Sequence, residues 1–241
     1  MSTVLITGGG SGTGADMARA FAERGHDVVI TGRDRAKLDR VAGGRIRAVA
    51  GDVSDPDQVA EVFAAAGPCQ IVIANAGIAE AAPFGKVSMD HWNRIIAVNL
   101  TGVFLTFQQG LAQMGPGGRL IAICSIAGLR GAAYAAPYAA SKHGVMGLVR
   151  SLAQEVARKD ITVNAVCPGY LDTEMTQRSI ENVMAKTGRD RAAAIAGIAG
   201  RNPQGKLIPP SDVTAAALWL ALEGSGAMNG QAITIDGGEG P

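Results

Sequence analysis

The sequence is poor in cysteine, histidine and aromatic residues, and it carries almost no net charge. Three cysteines and three histidines stand among 241 residues. They lack the spacing of a zinc site or a disulfide framework, so we expect no metal and three reduced, buried thiols. Twenty-two basic residues against 21 acidic ones leave a net charge of +1. This balance gives no electrostatic attraction toward nucleic acid or an anionic membrane, and we expect neither as a partner.

Long apolar runs are missing as well. The N-terminus has no basic segment followed by an apolar stretch, so a signal peptide is not expected. No uncharged apolar run of about 18 residues is present that would cross a membrane. The cytoplasm is therefore the expected compartment. Hydrophobic residues still make up 47% of the chain, which is enough for a sizeable core.

Short apolar, β-branched runs alternate with longer segments whose apolar residues recur at helical spacing. The runs begin at Val4, Val28, Ile46, Ile71, Leu120, Ile161 and Ala232, and the helical patterns cover 14–24, 57–66, 91–114, 137–158 and 212–222. This alternation predicts an α/β fold: a single doubly wound Rossmann domain over residues 1–241, with a seven-stranded parallel sheet and helices on both faces. The long irregular stretch 169–210, with a helical pattern over 173–186, is expected to be a substrate lid.

A glycine-rich loop, residues 7–14, follows the first strand and leads into a helix expected to start near Ala15. Glycine lets the backbone approach a ligand closely, and a helix N-terminus attracts phosphate. The loop therefore indicates a nucleotide site, although its spacing is not the G-x-G-x-x-G fingerprint and an ordinary tight turn is the alternative. No Lys-Ser or Lys-Thr follows the last glycine, which excludes a phosphate-loop ATPase.

Tyr138 and Lys142 lie four residues apart in a predicted helix and so share a face. A phenol has a pKa of about 10, and the neighbouring ammonium would lower the pKa of Tyr138, making it a proton donor and acceptor. Ser125 follows an apolar strand, at the sheet edge where ligands bind, and would hydrogen-bond a substrate oxygen. A helix surface and a turn cap are the alternative roles of these residues.

Further motifs accompany these residues in a fixed order. They are Thr7-Gly8-x-x-x-Gly12-x-Gly14, Asp52-Val53, Asn75-Ala76-Gly77, Asn99, Ser125, Tyr138-x-x-x-Lys142, Pro168-Gly169-x-x-x-Thr173 and a closing Gly230-Gln231 with Asp236-Gly237-Gly238. Each motif is weak alone, but their joint order and spacing are specific. On these residues the chain resembles the short-chain dehydrogenases/reductases over its whole length. The resemblance implies an NAD(P)(H)-dependent oxidoreductase that transfers a hydride between the nicotinamide and a carbonyl or secondary alcohol.

The resemblance also implies site residues. Catalysis is expected at Asn99, Ser125, Tyr138 and Lys142. Cofactor binding is expected at Gly8, Ser11, Gly12, Thr13, Gly14, Arg33, Asp52, Val53, Asn75, Ala76, Gly77, Tyr138, Lys142, Pro168, Gly169, Leu171 and Thr173. In the family's pattern the glycines cradle the pyrophosphate, Asp52 and Val53 border the adenine, and Lys142 holds the nicotinamide ribose. Asn99 holds a water for proton relay, and Leu171 and Thr173 bind the carboxamide.

The second strand decides the expected cofactor. NAD-preferring relatives carry an aspartate at the position of Gly32, where it would bind the ribose 2′-hydroxyl. The next residue here is Arg33, whose guanidinium would pair with a 2′-phosphate. This favours NADP(H), with NAD(H) as the alternative. Ser11 stands where NADP-preferring relatives often place a second basic residue, and Asp34 is adjacent, although Asp34 would also cap the next helix.

Segments 135–144 and 164–169 are similar to ketoreductases that act on 3-oxoacyl thioesters, including those of polyketide pathways. The first expectation is therefore an NADPH-dependent 3-oxoacyl-thioester reductase whose substrate is linked to coenzyme A or a carrier protein. Six basic against four acidic residues in the lid would suit coenzyme A, but a solvated face explains them equally. A dehydrogenase of a small or cyclic secondary alcohol and a non-catalytic nucleotide-binding scaffold are the alternatives. Helical patterns 91–114 and 137–158 resemble the family's dimer-forming pair, which predicts a homotetramer.

Overall fold

A computed structural model describes residues 2–240. Seven strands run through it: β1 Thr3–Thr7, β2 Asp27–Gly32, β3 Ile46–Ala50, β4 Ile71–Ala74, β5 Arg119–Ile123, β6 Thr162–Pro168 and β7 Ala232–Ile235. They form one sheet in the order β3-β2-β1-β4-β5-β6-β7, and every neighbouring pair is parallel. The predicted seven-stranded, doubly wound α/β fold is therefore confirmed.

Helices connect successive strands. They are α1 Gly12–Glu23, α2 Arg35–Asp39, α3 Pro56–Ala66, α4 Met89–Ile96, α5 Gly102–Gln113, α6 Ala136–Val156, α7 Glu174–Thr187, α8 Arg191–Ala199 and α9 Pro210–Leu220. The sequence pattern does not predict α2, which has only five residues, or α8, which is rich in alanine. The other boundaries lie within about three residues of the expected ones, as is usual for helix ends.

The strand side chains pack into two apolar clusters, one on each face of the sheet. On β1, Leu5 belongs to the cluster that contains Phe63 of α3 and Phe107 of α5. Val4 and Ile6 belong to the opposite cluster, formed with α1 and α9. Each fully buried phenylalanine or leucine contributes about 1.5–3 kcal/mol relative to an exposed one. The parallel sheet is thus covered on both faces, which explains why its strands are almost continuously apolar.

The sheet brings four loops to one edge. The chain order reverses between β1 and β4, which is the point where open α/β sheets bind ligands, outside the carboxyl ends of their strands. The glycine loop follows β1, and the loops after β4, β5 and β6 begin at Asn75, Cys124 and Gly169. The topology therefore places the glycine loop, Asn75, Ser125 and Gly169 along this edge.

The helix expected over 91–114 contains an irregularity. A π turn, Ala97–Thr101, lies between α4 and α5, so the segment is not a uniform α-helix as predicted. A π turn holds one extra residue and is frequent at functional sites. The composite helix Met89–Gln113 is long and apolar enough, by length and composition, to cross a membrane. Its residues Ile95, Val103 and Phe107 are buried, and 39% of its most apolar window lies inside the protein.

The stretch between β6 and α9 carries α7 and α8, and a short backbone bridge closes its base. Leu171 pairs in parallel with Ile208, the amide of Ile208 donates to the Tyr170 carbonyl at 2.9 Å, and the amide of Asp172 donates to the Ile208 carbonyl at 2.8 Å. The segment expected to be the lid, 169–210, therefore leaves and re-enters the fold at one place.

Candidate active site

The glycine loop folds as a cradle of backbone. Gly8 and Gly12 have positive φ angles of 66° and 51°, a region in which side chains other than glycine are disfavoured. A Cβ on Gly14 would lie 2.3 Å from the Gly8 carbonyl oxygen, so this position has room for glycine alone. Helix α1 begins at Gly12 rather than near Ala15, which turns its first amide groups toward the loop. Ser11 and Thr13 complete this first turn.

Thr7 and Asn75 join the ends of β1 and β4. The Thr7 hydroxyl oxygen accepts from the backbone amides of Asn75 and Ala76, both at 3.0 Å. The Asn75 side-chain amide donates back to the carbonyl of Thr7 at 2.9 Å and of Gly8 at 3.3 Å. These bonds hold the glycine loop against the strand that carries Asn75-Ala76-Gly77. Thr7 was absent from the expected site residues, although its place just before the glycines is a usable signal.

Asn99 is fully buried in the π turn and fixes the loop that follows β4. Its side-chain oxygen accepts from the Ile78 amide at 2.8 Å, and its nitrogen donates to the Ile78 carbonyl at 2.9 Å. The same nitrogen lies 3.3 Å from the Ser141 hydroxyl, which donates to the Tyr138 carbonyl at 2.7 Å. Asn99 therefore connects this loop with the helix that bears Tyr138 and Lys142. Ser141 was not predicted, although it lies inside the predicted tyrosine–lysine segment.

Lys142 is only 4% exposed and lies beside Tyr138 on α6. Its ammonium donates to the Ile123 carbonyl at the end of β5 at 3.0 Å, and it is 5.7 Å from the centroid of the Tyr138 ring. A Cβ on Gly77 would lie 3.8 Å from the same ammonium. An ammonium has three donors, and Ile123 is the acceptor found for it among residues 2–240. The remaining donors can bind hydroxyl groups of a ligand over Gly77.

Ser125 lies two residues beyond the end of β5 and caps the short 3₁₀ turn Ile126–Gly128. Its hydroxyl oxygen accepts from the amide of Ala127 at 3.1 Å. A hydroxyl that accepts one bond still has its own hydrogen to donate. The capping role and a bond to a substrate oxygen are therefore compatible. Ser125, Tyr138 and Lys142 share the edge formed by the ends of β5 and α6.

Arg33 and Asp52 lie beyond the carboxyl ends of β2 and β3. The two side chains approach to 3.8 Å, and Arg33 is exposed to solvent. Asp52 also accepts from the amide and the hydroxyl of Ser54 at 2.9 and 2.7 Å. Val53 is buried against Gly102. Asp34 caps α2, where one of its carboxylate oxygens accepts from the amide of Lys37 at 3.0 Å.

The lid crosses the glycine loop. A Cβ on Gly12 would lie 3.5 Å from the methyl group of Thr173, and the ammonium of Lys37 lies 2.6 Å from the carboxylate of Glu174. The hydrogen bond from Lys37 lowers the pKa of Glu174 below its usual value. A cavity of about 530 Å³ borders this crossing; it is lined by Gly12, Thr173, Arg178 and three carboxylates. Because carboxylates outnumber the single guanidinium there, this cavity gives the lid no local attraction for a polyanion.

The edge as a whole fits a nicotinamide dinucleotide. The glycine loop offers backbone amides at the start of α1 without interfering Cβ atoms. Asp52 and Val53 follow β3 at one side of this edge, and the buried ammonium of Lys142 lies at the end of β5, beside Gly77. Pro168 closes β6, and Gly169, Leu171 and Thr173 lead from it into the lid.

Comparison with known proteins identifies the family. A model described as short chain dehydrogenase matches residues 2–183. The chain belongs to this family. As a short-chain dehydrogenase it is an oxidoreductase acting on CH–OH groups, and the family uses NAD(P). The predicted family and enzyme class are confirmed.

Three relatives of this short-chain dehydrogenase are informative. An acetoacetyl-CoA reductase of Rhizobium meliloti is 37% identical over 98% of this chain and 97% of its own length. A cis-4-hydroxycyclohexanecarboxylate dehydrogenase of Sinomonas cyclohexanicum is 38% identical over 97% of this chain and 94% of its own length. The crystal structure of an actinorhodin polyketide ketoreductase variant with NADPH is similar at a TM-score of 0.92 and 32% identity, covering 99% of this chain and 97% of that one.

Proposed function

We propose that this short-chain dehydrogenase is an NADPH-dependent reductase of 3-oxoacyl thioesters, with Asn99, Ser125, Tyr138 and Lys142 as its catalytic residues. The observation that carries the carbonyl chemistry is the buried ammonium of Lys142, held by the Ile123 carbonyl beside the ring of Tyr138. The phenol of Tyr138 suits a general acid that protonates a reduced carbonyl oxygen.

Each residue of the tetrad has a separate task in this proposal. The bound cofactor would supply the hydride. Ser125 donates its hydroxyl hydrogen to the substrate carbonyl and stabilises the charge that develops on the oxygen. Tyr138 transfers its phenolic proton to that oxygen. Lys142 binds ribose hydroxyls beside Tyr138, while Asn99 holds the Ile78 loop and Ser141 in place around them.

NADPH is the proposed cofactor because Arg33 is the cation placed just after β2. Its guanidinium is exposed and only loosely paired with Asp52, so it can turn toward a 2′-phosphate. The glycine at position 32 offers no carboxylate for a 2′-hydroxyl. The structural relative with 32% identity was crystallised with NADPH, which supports the same choice.

A 3-oxoacyl thioester is the proposed substrate, carried by coenzyme A or a carrier protein. Support comes from the acetoacetyl-CoA reductase, which matches this chain end to end at 37% identity. A second candidate is a cyclic secondary alcohol, favoured by the equally complete match to a cis-4-hydroxycyclohexanecarboxylate dehydrogenase at 38% identity. Both candidates use the same tetrad, and the residues around it have to discriminate between them.

We further propose that the protein is a single domain, that it is a cytoplasmic homotetramer, and that residues 169–210 close over the substrate. Helices α5 and α6 are the expected contact pair, and Phe104 on α5 is a large apolar side chain left exposed in the single chain. Light scattering on the purified protein tests the tetramer. A mass near that of one 24.6 kDa chain would contradict it.

Initial rates of NADPH oxidation test the substrate proposal. Acetoacetyl-CoA, 4-oxocyclohexanecarboxylate and a simple ketone are compared at equal concentrations, each with NADPH and with NADH. We expect the highest kcat/KM with acetoacetyl-CoA and NADPH. A higher kcat/KM with the cyclic ketone would favour the second candidate. If no carbonyl compound caused NADPH oxidation although NADPH bound tightly, the protein would be a scaffold that only binds nucleotide.

A further inference from the structure

Tyr134 has a backbone conformation that is unfavourable for a bulky residue. Its φ angle is +64°, and among residues 2–240 the one other non-glycine residue with a positive φ is Asp160. Aspartate tolerates this left-handed region because its short side chain can bond locally, whereas a tyrosine there is a genuine outlier. Strained residues of this kind persist only where the surrounding structure fixes them, and they cluster at functional sites.

Two contacts fix the loop that contains Tyr134. The amide of Ala82 donates to the Tyr134 carbonyl at 2.9 Å. This bond fastens the loop after β4, which Asn99 also holds, to the loop between Ser125 and α6. At the other end of that loop, Arg130 forms an ion pair with Glu239 of the C-terminal turn. Tyr134 thus lies where the loop after β4 meets the loop after β5.

The side chain of Tyr134 gains little from the fold around it. It is 67% exposed, and no hydrogen bond of its hydroxyl is found within residues 2–240. Phe84 is 78% exposed and Met89 is 68% exposed, and both follow the loop that is fastened to Tyr134. With Tyr134, these are the three most exposed large apolar side chains of the described chain, and Phe84 and Met89 follow Ala82, whose amide donates to the Tyr134 carbonyl. A glycine at position 134 would remove the strain at almost no packing cost.

We propose that Tyr134 is a specificity-determining residue whose ring packs against the hydrocarbon part of the acyl chain during reduction. The inference rests on the proposed thioester reductase function. Tyr134 lies on the loop that leads from Ser125 into α6, the helix that bears Tyr138. An acyl chain that extends from the reacting carbonyl over this loop would meet its exposed ring. Burying the ring against the chain would add a favourable apolar contact that the free enzyme lacks.

The test is a pair of variants at this position, Tyr134→Gly and Tyr134→Phe, assayed with NADPH and two substrates. Acetoacetyl-CoA has almost no chain, whereas 3-oxooctanoyl-CoA has four more methylenes. For Tyr134→Gly we expect a melting temperature at or above that of wild type. We expect its KM for the longer substrate to rise about tenfold, which corresponds to losing the burial of about two methylenes. Its kcat, and its KM for acetoacetyl-CoA, should change by less than about threefold, and Tyr134→Phe should behave as wild type.

The possible outcomes separate the two proposals. An unchanged KM ratio between the two thioesters, in a wild-type enzyme that reduces both, would overturn the role of Tyr134 and leave the thioester reductase intact. A lower melting temperature for Tyr134→Gly, or an altered mass in light scattering, would assign Tyr134 to the fold or to a subunit contact instead. A wild-type enzyme that oxidises NADPH with cyclic ketones but with neither thioester would overturn both proposals.

Discussion

Asn99 and Ile78 exchange two hydrogen bonds, one in each direction, between a side-chain amide and a backbone peptide. The side-chain amide of Asn99 thus pairs with the peptide groups of Ile78 as the backbone of a neighbouring strand would. The pairing is available because the π turn brings the amide of Asn99 to the loop after β4. The residue expected to hold a relay water is thus also the anchor of one wall of the active site.

Replacing Asn99 by alanine should cost stability as well as activity. Each polar group of Ile78 left buried without a partner costs about 1–3 kcal/mol, so the free energy of unfolding should fall by roughly that amount or more. Asn99→Asp keeps the acceptor for the Ile78 amide and loses the donor to the Ile78 carbonyl. Its free energy of unfolding should therefore lie between those of the wild type and Asn99→Ala. Urea denaturation and kcat measure the effects. Thr101→Ala, exposed on the same π turn, is the control and should leave both nearly unchanged.

Tyr138→Phe should abolish turnover and leave the cofactor site intact. The substitution removes only the phenolic oxygen, and loss of a general acid lowers kcat by about 10²–10⁴-fold. The Kd for NADPH, measured by fluorescence quenching, should stay within about twofold of wild type, since the ring still packs on α6. A residual kcat above about a hundredth of wild type would argue against proton transfer by Tyr138.

Arg33→Ala should weaken NADPH binding selectively. A charge-assisted hydrogen bond contributes about 1.5–3 kcal/mol, so the Kd for NADPH should rise by about one to two orders of magnitude while that for NADH changes little. Asp52→Asn is the matched variant, because it removes the carboxylate that lies 3.8 Å from Arg33. It should leave NADPH binding equal or tighter. Equal losses for both cofactors in Arg33→Ala would remove the argument for NADPH.

The Lys37–Glu174 pair should slow the release of bound NADPH. It ties α2 to the first turn of α7, across the glycine loop. Exposed ion pairs contribute at most about 1 kcal/mol, so Lys37→Glu or Glu174→Lys should raise the dissociation rate by no more than about fivefold. The double variant Lys37→Glu/Glu174→Lys restores the ion pair and should return the dissociation rate to that of the wild type. Stopped-flow displacement of NADPH measures this rate, and a double exchange as fast as the singles would exclude a tether.

The same pair predicts a pH dependence of NADPH release. The pKa of Glu174 is lowered in the folded protein by the bond from Lys37. The contribution of the pair is therefore complete above the ordinary glutamate pKa and is lost as the pH falls through the lowered value. The wild type and Glu174→Gln should differ in release rate at neutral pH and converge in acid. A difference that persists at the lowest pH tolerated by the fold would point to another cause.

The three thiols should be unreactive in the native enzyme. Cys69, Cys124 and Cys167 are free and buried, and burial raises the pKa of Cys69 to about 11. Thiolates are the reactive form of cysteine. Burial restricts access to all three thiols, and the raised pKa also restricts the ionisation of Cys69, whereas Cys124, whose pKa is lowered to about 7 by its hydrogen bond with Cys167, is protected by burial alone. A thiol-specific dye at neutral pH should label less than one group per native chain and three in denaturant. Cys69→Ala should reduce the denatured count to two; rapid labelling of the native protein would contradict this expectation.

The sheet and the proximity of Tyr138 to Lys142 could be predicted because they depend on local patterns. Strands buried on both faces must be apolar throughout, so runs such as those starting at Val4 and Ile71 identify themselves. The expected site residues follow strand ends, and parallel topology brings strand ends to one edge. Tyr138 and Lys142 are neighbours through helical spacing alone.

The features that escaped prediction depend on tertiary contacts or on a single backbone angle. The π turn at Asn99 has no local signature, since it continues the helical apolar pattern of residues 91–114. Tyr134 gives no sign of its positive φ, because that conformation is fixed by the bond from Ala82, more than fifty residues away. Lys37 and Glu174 are separated by 137 positions. Helix α8 lacks a regular apolar stripe, since it consists mostly of alanine.

Because Leu171 pairs with Ile208, the segment between them could be replaced without moving its two ends apart. Its two ends are fixed to each other by backbone bonds that do not depend on side-chain identity. Insertions, deletions or grafts between positions 175 and 207 are therefore expected to leave the register of β6 and β7 unaffected. Such a replacement would keep Thr173 and Glu174, which lie against the glycine loop and Lys37, as well as the geometry of the tetrad.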